Sequence, residues 1–171
     1  MSCIHSFPPV SEPTADRLIV GSMPGKASLA ANQYYAHSRN LFWRIIDTLF
    51  EIPADLPYAV RCRQLAEQGV ALWDVLRTCT RSSSLDSDIV EGSIITQDFE
   101  GFLRAHPRTG VIFFNGAKAE SLWLRHVRPT LPDDLAAIPT VRLPSTSPAN
   151  ASIPYPVKLR QWQAISIVRS R

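Results

Sequence analysis

The sequence predicts an α/β sandwich around a small, mostly parallel sheet, and three observations carry that prediction. Four short apolar runs, at 17–21, 70–75, 111–114 and 140–143, alternate with segments whose apolar residues recur at helical spacing. A chain of 171 residues that is 45% hydrophobic and 19% charged can bury one ordinary core without disulfides or metal staples. Glycine or proline closes the first, third and fourth runs, at Gly21, Gly116 and Pro144, as strand ends require.

The elements follow in order. Met1 to Pro13 lacks the charged-then-apolar pattern of a secretory signal and reads as an irregular lead-in, reaching about residue 15 of a single domain spanning 1–171. Arg17 to Gly21 is a buried strand, and a long loop runs from Ser22 to about His37. Leu41, Phe42, Ile45, Ile46, Leu49 and Phe50 share one helical face, with Ser38 as the cap and Pro53 as the stop. Residues 59–68 form a second helix closed by Gly69, and Val70 to Val75 a second strand. Arg77 to Asp88 reads as a serine-rich polar loop, and Asp98 to Ala105 as a helix. Val111 to Phe114 is the clearest buried strand and leads through Asn115 and Gly116 into a helix to about Val127. Thr140 to Leu143 is the fourth strand, a proline-studded stretch spans Pro144 to Pro156, and a last helix begins near Pro156.

Ligands of such sheets bind outside the carboxyl ends of the strands. That rule brings Gly21 to Gly25, Asp74 to Asp86, Asn115 with Gly116, and Pro144 to Asn150 to one rim.

Composition narrows the function. No apolar run is long enough for a membrane span, and low complexity and repeats are absent. Cys3, Cys62 and Cys79 form no CxxC pair and no metal-ligand spacing, which excludes a structural zinc or a four-cysteine cluster and fits a reducing cytoplasm. The net charge of +3 hides an asymmetry, because residues 1–100 carry 8 basic and 12 acidic side chains and the remainder 10 and 3. Fifteen of the 18 basic residues are arginine, suited to bidentate contact with phosphate.

Gly21-Ser22-Met23-Pro24-Gly25-Lys26 is not a Walker loop, since that motif needs a glycine at Lys26 and a hydroxyl after the lysine. Taken with Gln33 to Trp43 and with Leu143-Pro144-Ser145-Thr146-Ser147-Pro148-Ala149-Asn150, it resembles the uracil-DNA glycosylase superfamily. The likeness is greatest to its hypoxanthine-DNA (deoxyinosine) glycosylase branch and runs from about Arg17 to Trp162.

The resemblance implies a three-layer α/β/α sandwich with a four-stranded sheet. It also implies a monofunctional enzyme without cofactor or metal, acting on DNA that contains deaminated bases; a monomer is the default for a protein that must wrap one lesion. A base inside a duplex must be flipped into a pocket, stacked and read by its polar edge. Tyr35 matches the position of the stacking aromatic, with Tyr34 the second choice. In many members the residue at Met23 is an Asn or Asp that holds the attacking water, which a thioether cannot do. Asn40 matches the polar position on which the hypoxanthine branch relies, and its amide can orient water and donate to developing charge. His37 is a secondary candidate as proton donor or phosphate contact. The resemblance also implies that backbone N–H groups of Gly21, Ser22 and Met23 face the leaving base. Asn115 has a donor and an acceptor for a base edge, and its other reading is a turn residue. Asp74 or Asp86 would accept from a purine N1–H or else order a loop. In the 144–150 segment, Ser145, Thr146 and Ser147 are expected phosphate contacts, and Ala149 and Asn150 fill the space the base leaves. Lys118, Arg142, Lys158 and Arg160 would neutralise DNA phosphates. Trp43, Trp123 and Trp162 lie on apolar helical faces and read as core.

Three rival readings remain at this point. One is a mismatch-specific uracil or thymine glycosylase, which Met23 opposes. Another is a non-catalytic homologue that flips and holds damaged bases. The third is an enzyme of free nucleosides, which would need neither the basic half nor the hydroxyl-rich loop.

Overall fold

A computed structural model describes residues 2–167. Arg169 and Arg171, part of the basic half, lie outside the described residues. Among the described residues seven strands form two sheets: β1 (Ser2–His5), β2 (Arg17–Gly21), β3 (Val70–Asp74), β4 (Leu76–Arg81), β5 (Ile95–Thr96), β6 (Val111–Asn115) and β7 (Thr140–Leu143). The four expected strands make one sheet in the order β3-β2-β6-β7, and every pairing in it is parallel. The helices are α1 (Lys26–Ala31), α2 (Phe42–Phe50), α3 (Tyr58–Glu67), α4 (Phe99–Ala105), α5 (Ala117–Leu122), α6 (Asp133–Ala136) and α7 (Tyr155–Trp162).

Side chains that alternate along each strand build a separate core on each face. Leu18 and Val20 of β2 join Ala71, Trp73, Ile112 and Phe114 under α4 and α5. Ile19 joins Leu72, Val111 and Phe113 under α2, α3 and α7. Helices on both faces of a parallel sheet give the three-layer α/β/α sandwich. Trp43, Trp123 and Trp162 are buried in these cores as expected.

The departures have physical causes. The lead-in holds β1, which pairs antiparallel with β4. The expected loop from Arg77 to Asp88 opens as β4, because the chain leaves β3 at Val75 and crosses directly into a second sheet, ordered β1-β4-β5. The loop from Ser22 to His37 contains α1, a helix of six residues. Ser38 does not cap α2; the Phe42 N–H donates instead to Asn40 Oδ1 at 2.9 Å. That helix ends before Pro53, at Glu51, whose φ of 56° is left-handed. Gly69 closes α3 as expected, with a φ of +83° that favours glycine.

Candidate active site

Gly21, Asp74, Asn115 and Leu143, the last residues of the four parallel strands, all line one cleft of about 980 Å³. Ser22 to Gly25, Tyr34, Tyr35, His37 and Asn40 complete one side. Ser84 to Ser87 and Pro144 to Asn150 complete the others. Three segments far apart in sequence therefore meet at the strand ends.

The floor is built around Gly21. A Cβ there would lie 2.7 Å from Asp74 Oδ1 and 3.1 Å from the Tyr35 hydroxyl, so only glycine lets both groups approach. Ser6 Oγ donates to Asp74 Oδ2 at 2.7 Å, while Oδ1 has no hydrogen-bond partner among the described residues. Asp74 is 3% exposed, and burial pushes its carboxyl up to about 7, reinforced by the charge of Asp86 and opposed by the Ser6 bond and Arg81. The Tyr35 hydroxyl is buried and makes no hydrogen bond of normal geometry; burial drives its pKa upward, opposed by the neighbouring Asn115 side chain. Its ring stacks on Phe42 at 4.1 Å and 27°. A φ of 58° at so bulky a residue costs on the order of 1–3 kcal/mol, which that packing must hold. Tyr34 is placed differently. Its hydroxyl donates to the Pro8 carbonyl at 2.9 Å, its carbonyl accepts from Trp43 Nε1, and only 3% of its surface is free.

Asn40 is the half-buried polar residue of the side wall. One lone pair of Oδ1 takes the Phe42 N–H, leaving the second lone pair free, and Nδ2 donates to nothing among the described residues. His37 is exposed, and its Nδ1 accepts from the Arg39 N–H at 3.1 Å, so the neutral ring carries its proton on Nε2. Met23 is buried in the wall with its thioether among core residues. Neither Ser22 N–H nor Met23 N–H donates to a carbonyl among the described residues.

The 144–150 loop is held from behind. Asn115 Nδ2 donates to Thr146 Oγ1 at 3.0 Å and Asn115 Oδ1 accepts from Thr146 N–H at 2.9 Å. Thr146, expected at a phosphate, is fully buried and also accepts from Leu41 N–H, so it has no face for DNA. The same pair leaves Asn115 one Nδ2 hydrogen and one Oδ1 lone pair for any base edge. Ser145 and Ser147 cap the turns of the loop through their Oγ atoms and keep part of their surface free. Ala149 is exposed, whereas the Asn150 amide donates back to the Ser145 carbonyl at 3.2 Å. Trp162 Nε1 anchors the Pro144 carbonyl at 2.9 Å. Lys158, expected on phosphate, is 1% exposed and donates to the Asn150 carbonyl at 2.6 Å, with burial lowering its pKa. Removing a buried charge offsets much of a lost bond. Lys158→Met is therefore expected to weaken duplex binding about tenfold by loosening the loop, with little change in thermal midpoint. Fluorescence anisotropy and calorimetry check the two halves of that expectation. Lys118 lies outside the cleft lining, near Asp86 and Glu91, while Arg142 is at the rim, 3.6 Å from Glu120. Arg160 is exposed on α7, outside the lining.

The unexpected second sheet serves this site. β4 ends at Arg81, whose Nη2 donates to the Pro24 carbonyl at 2.5 Å and whose Nη1 lies 3.8 Å from Asp86 Oδ1. Ser22 Oγ donates to Asp86 Oδ2 at 2.7 Å, tying the 21–25 turn to the following loop. Asp86 thus orders the loop. Ser6 and Arg81 were not readable as site residues, because a serine in a lead-in and an arginine in a polar stretch carry no local signal.

A sequence model of the uracil DNA glycosylase superfamily matches residues 8–165. The chain belongs to the uracil DNA glycosylase superfamily. Within that superfamily it is 34% identical over 116 residues to a hypoxanthine DNA glycosylase of Methanosarcina acetivorans, covering 67% of this chain and 72% of the relative. A hypoxanthine DNA glycosylase of Methanosarcina barkeri is 32% identical over the same shares. A solution NMR structure from Methanosarcina acetivorans, named for uracil DNA glycosylase, superposes with a TM-score of 0.79 at 30% identity. It covers 96% of this chain and 97% of that one. No helix among the described residues is long and apolar enough to cross a membrane, and no group of three or more His, Cys, Asp or Glu among them could hold a metal ion.

Proposed function

We propose that this protein is a monofunctional DNA glycosylase of base-excision repair that removes hypoxanthine from deoxyinosine, with uracil as a second substrate. The observation that carries the reading is the unpartnered Asp74 Oδ1 in the same cleft as Asn40 and Tyr35.

A flipped 6-oxopurine stacks beside Tyr35 and presents N1–H to ionised Asp74 Oδ1, with O6 toward the free Nδ2 hydrogen of Asn115. Adenine offers a bare N1 at that point and is repelled by the carboxylate. As the N9–C1′ bond breaks, its electron pair goes to the base. The N–H groups of Ser22 and Met23, and Nε2 of His37, stabilise that negative charge. Asn40 holds a water through its second Oδ1 lone pair, and the water oxygen bonds to C1′. One water proton ends on the base, and the other stays on the new sugar hydroxyl. Ser145 and Ser147 hold backbone phosphates, with Ala149 at the DNA-facing tip. We further propose one domain acting as a monomer in a reducing cytoplasm, in keeping with three free cysteines.

The test is cleavage of labelled duplexes containing deoxyinosine, uracil, xanthine or adenine, followed by alkali to break abasic sites. Deoxyinosine is expected to give product and adenine none. Tight binding of every duplex with no product from any would favour the non-catalytic homologue, to which the thioether at Met23 points.

A further inference from the structure

The 82–88 loop is more firmly built than a surface connection requires. Ser83 Oγ donates to Asp88 Oδ2 at 2.5 Å and accepts from Leu85 N–H at 2.9 Å. Ser84 Oγ accepts from Lys26 N–H at 2.9 Å, and Asp86 is gripped by Ser22. These bonds turn the loop's carboxylates onto Ser83 and Ser22 and hold up one apolar side chain, Leu85, which is 50% exposed. Of the large hydrophobic residues exposed among the described residues, Leu85 is the one that lines the cleft; Val90, Ile95, Leu124 and Ile167 do not.

Flipping a nucleotide leaves a gap in the base stack, and proteins that distort duplexes fill such gaps with apolar wedges. The opposite rim is poorly supplied for that task. Ala149 carries only a methyl group, and the Asn150 side chain is folded back onto Ser145. Leu85 has the volume, the exposure and the rigid mounting at the mouth. We infer that Leu85 is a DNA wedge: a positioning residue that enters the duplex beside the flipped nucleotide and keeps the base from returning. This rests on the glycosylase reading.

A wedge matters only where there is a stack to replace, so strandedness separates it from a packing role. Leu85→Ala is expected to slow single-turnover cleavage of duplex deoxyinosine about tenfold or more while leaving the single-stranded oligonucleotide unaffected, and Leu85→Met is expected to restore the duplex rate. Binding to a duplex bearing an abasic-site analogue, measured against the matching single strand, should show the same selective loss without needing any cleavage. Equal loss on both strandedness classes, or no loss on duplex, overturns the wedge. Absence of cleavage by the unmodified protein on every substrate overturns the glycosylase reading instead, and the binding ratio then decides on Leu85 by itself.

Discussion

Asn40→Ser is expected to slow excision of hypoxanthine by about 10²–10³-fold while DNA affinity and thermal midpoint stay close to those of the unmodified protein. The choice of serine follows from the two tasks the amide performs. Asn40 Oδ1 accepts the Phe42 N–H and so caps α2, a task a serine Oγ does as well. Only the longer amide also reaches into the cleft with a free lone pair and an unused Nδ2. Losing it removes the group that orders the attacking water, an effect confined to the transition state. Asn40→Ala is the less informative variant, because it deletes the cap too, at about 1 kcal/mol of stability. Single-turnover rates on duplex deoxyinosine, with anisotropy and calorimetry on the same samples, separate these effects. A serine variant with full rate would reduce Asn40 to a helix cap.

The α2 start also shows what sequence reasoning could reach. Periodicity found the helix, and likeness to the family singled out Asn40, but which residue caps depends on the turn before it. The Asn40 N–H donates to the His37 carbonyl, and that turn puts Asn40, not Ser38, within reach of Phe42. The four parallel strands were legible because they are buried on both faces and read as unbroken apolar runs. β4 was not, since Arg77 and Thr80 lie at least partly in water and interrupt its apolar residues. β1 is largely exposed, and β5 has two residues. With the second sheet went the means of seeing Arg81 beneath Pro24 or Ser6 against Asp74, which are contacts across 57 and 68 residues. Lys158 and Thr146 carry the chemistry of phosphate contacts, and only packing reveals that both face inward to brace the loop.

Asp74→Asn is expected to lower kcat/KM for deoxyinosine by about 10²–10³-fold and to stabilise the fold at neutral pH. Both effects follow from one carboxyl. Ser6 Oγ–H donates to one oxygen, so an amide replacing the carboxyl keeps its oxygen there and turns its NH₂ into the cleft. An acceptor becomes a donor opposite a purine N1–H, and two donors face each other. The pH dependence gives an independent check. Asp74 titrates from about 7 in the fold against 3.8 when free, the groups facing it being Ser6, Arg81, Asp86, Tyr34 and Tyr35. Below the free value both states hold the proton, and Asp74 imposes no charge-burial penalty. Between the two values the folded state keeps a proton that the unfolded chain has released, so stability falls as pH rises. Above about 7 both states are ionised and the whole penalty stands. Activity runs the other way, because the ionised carboxylate accepts N1–H more strongly than the neutral carboxyl does, and kcat/KM should rise through that same pH. The asparagine variant should lose this limb of the rate profile, and its thermal advantage should grow from pH 4 to 7 and then level off. An unchanged rate profile in the variant would remove Asp74 from base reading. A site that destabilises its own fold in the state that works is the trade expected where a buried charge is kept for recognition.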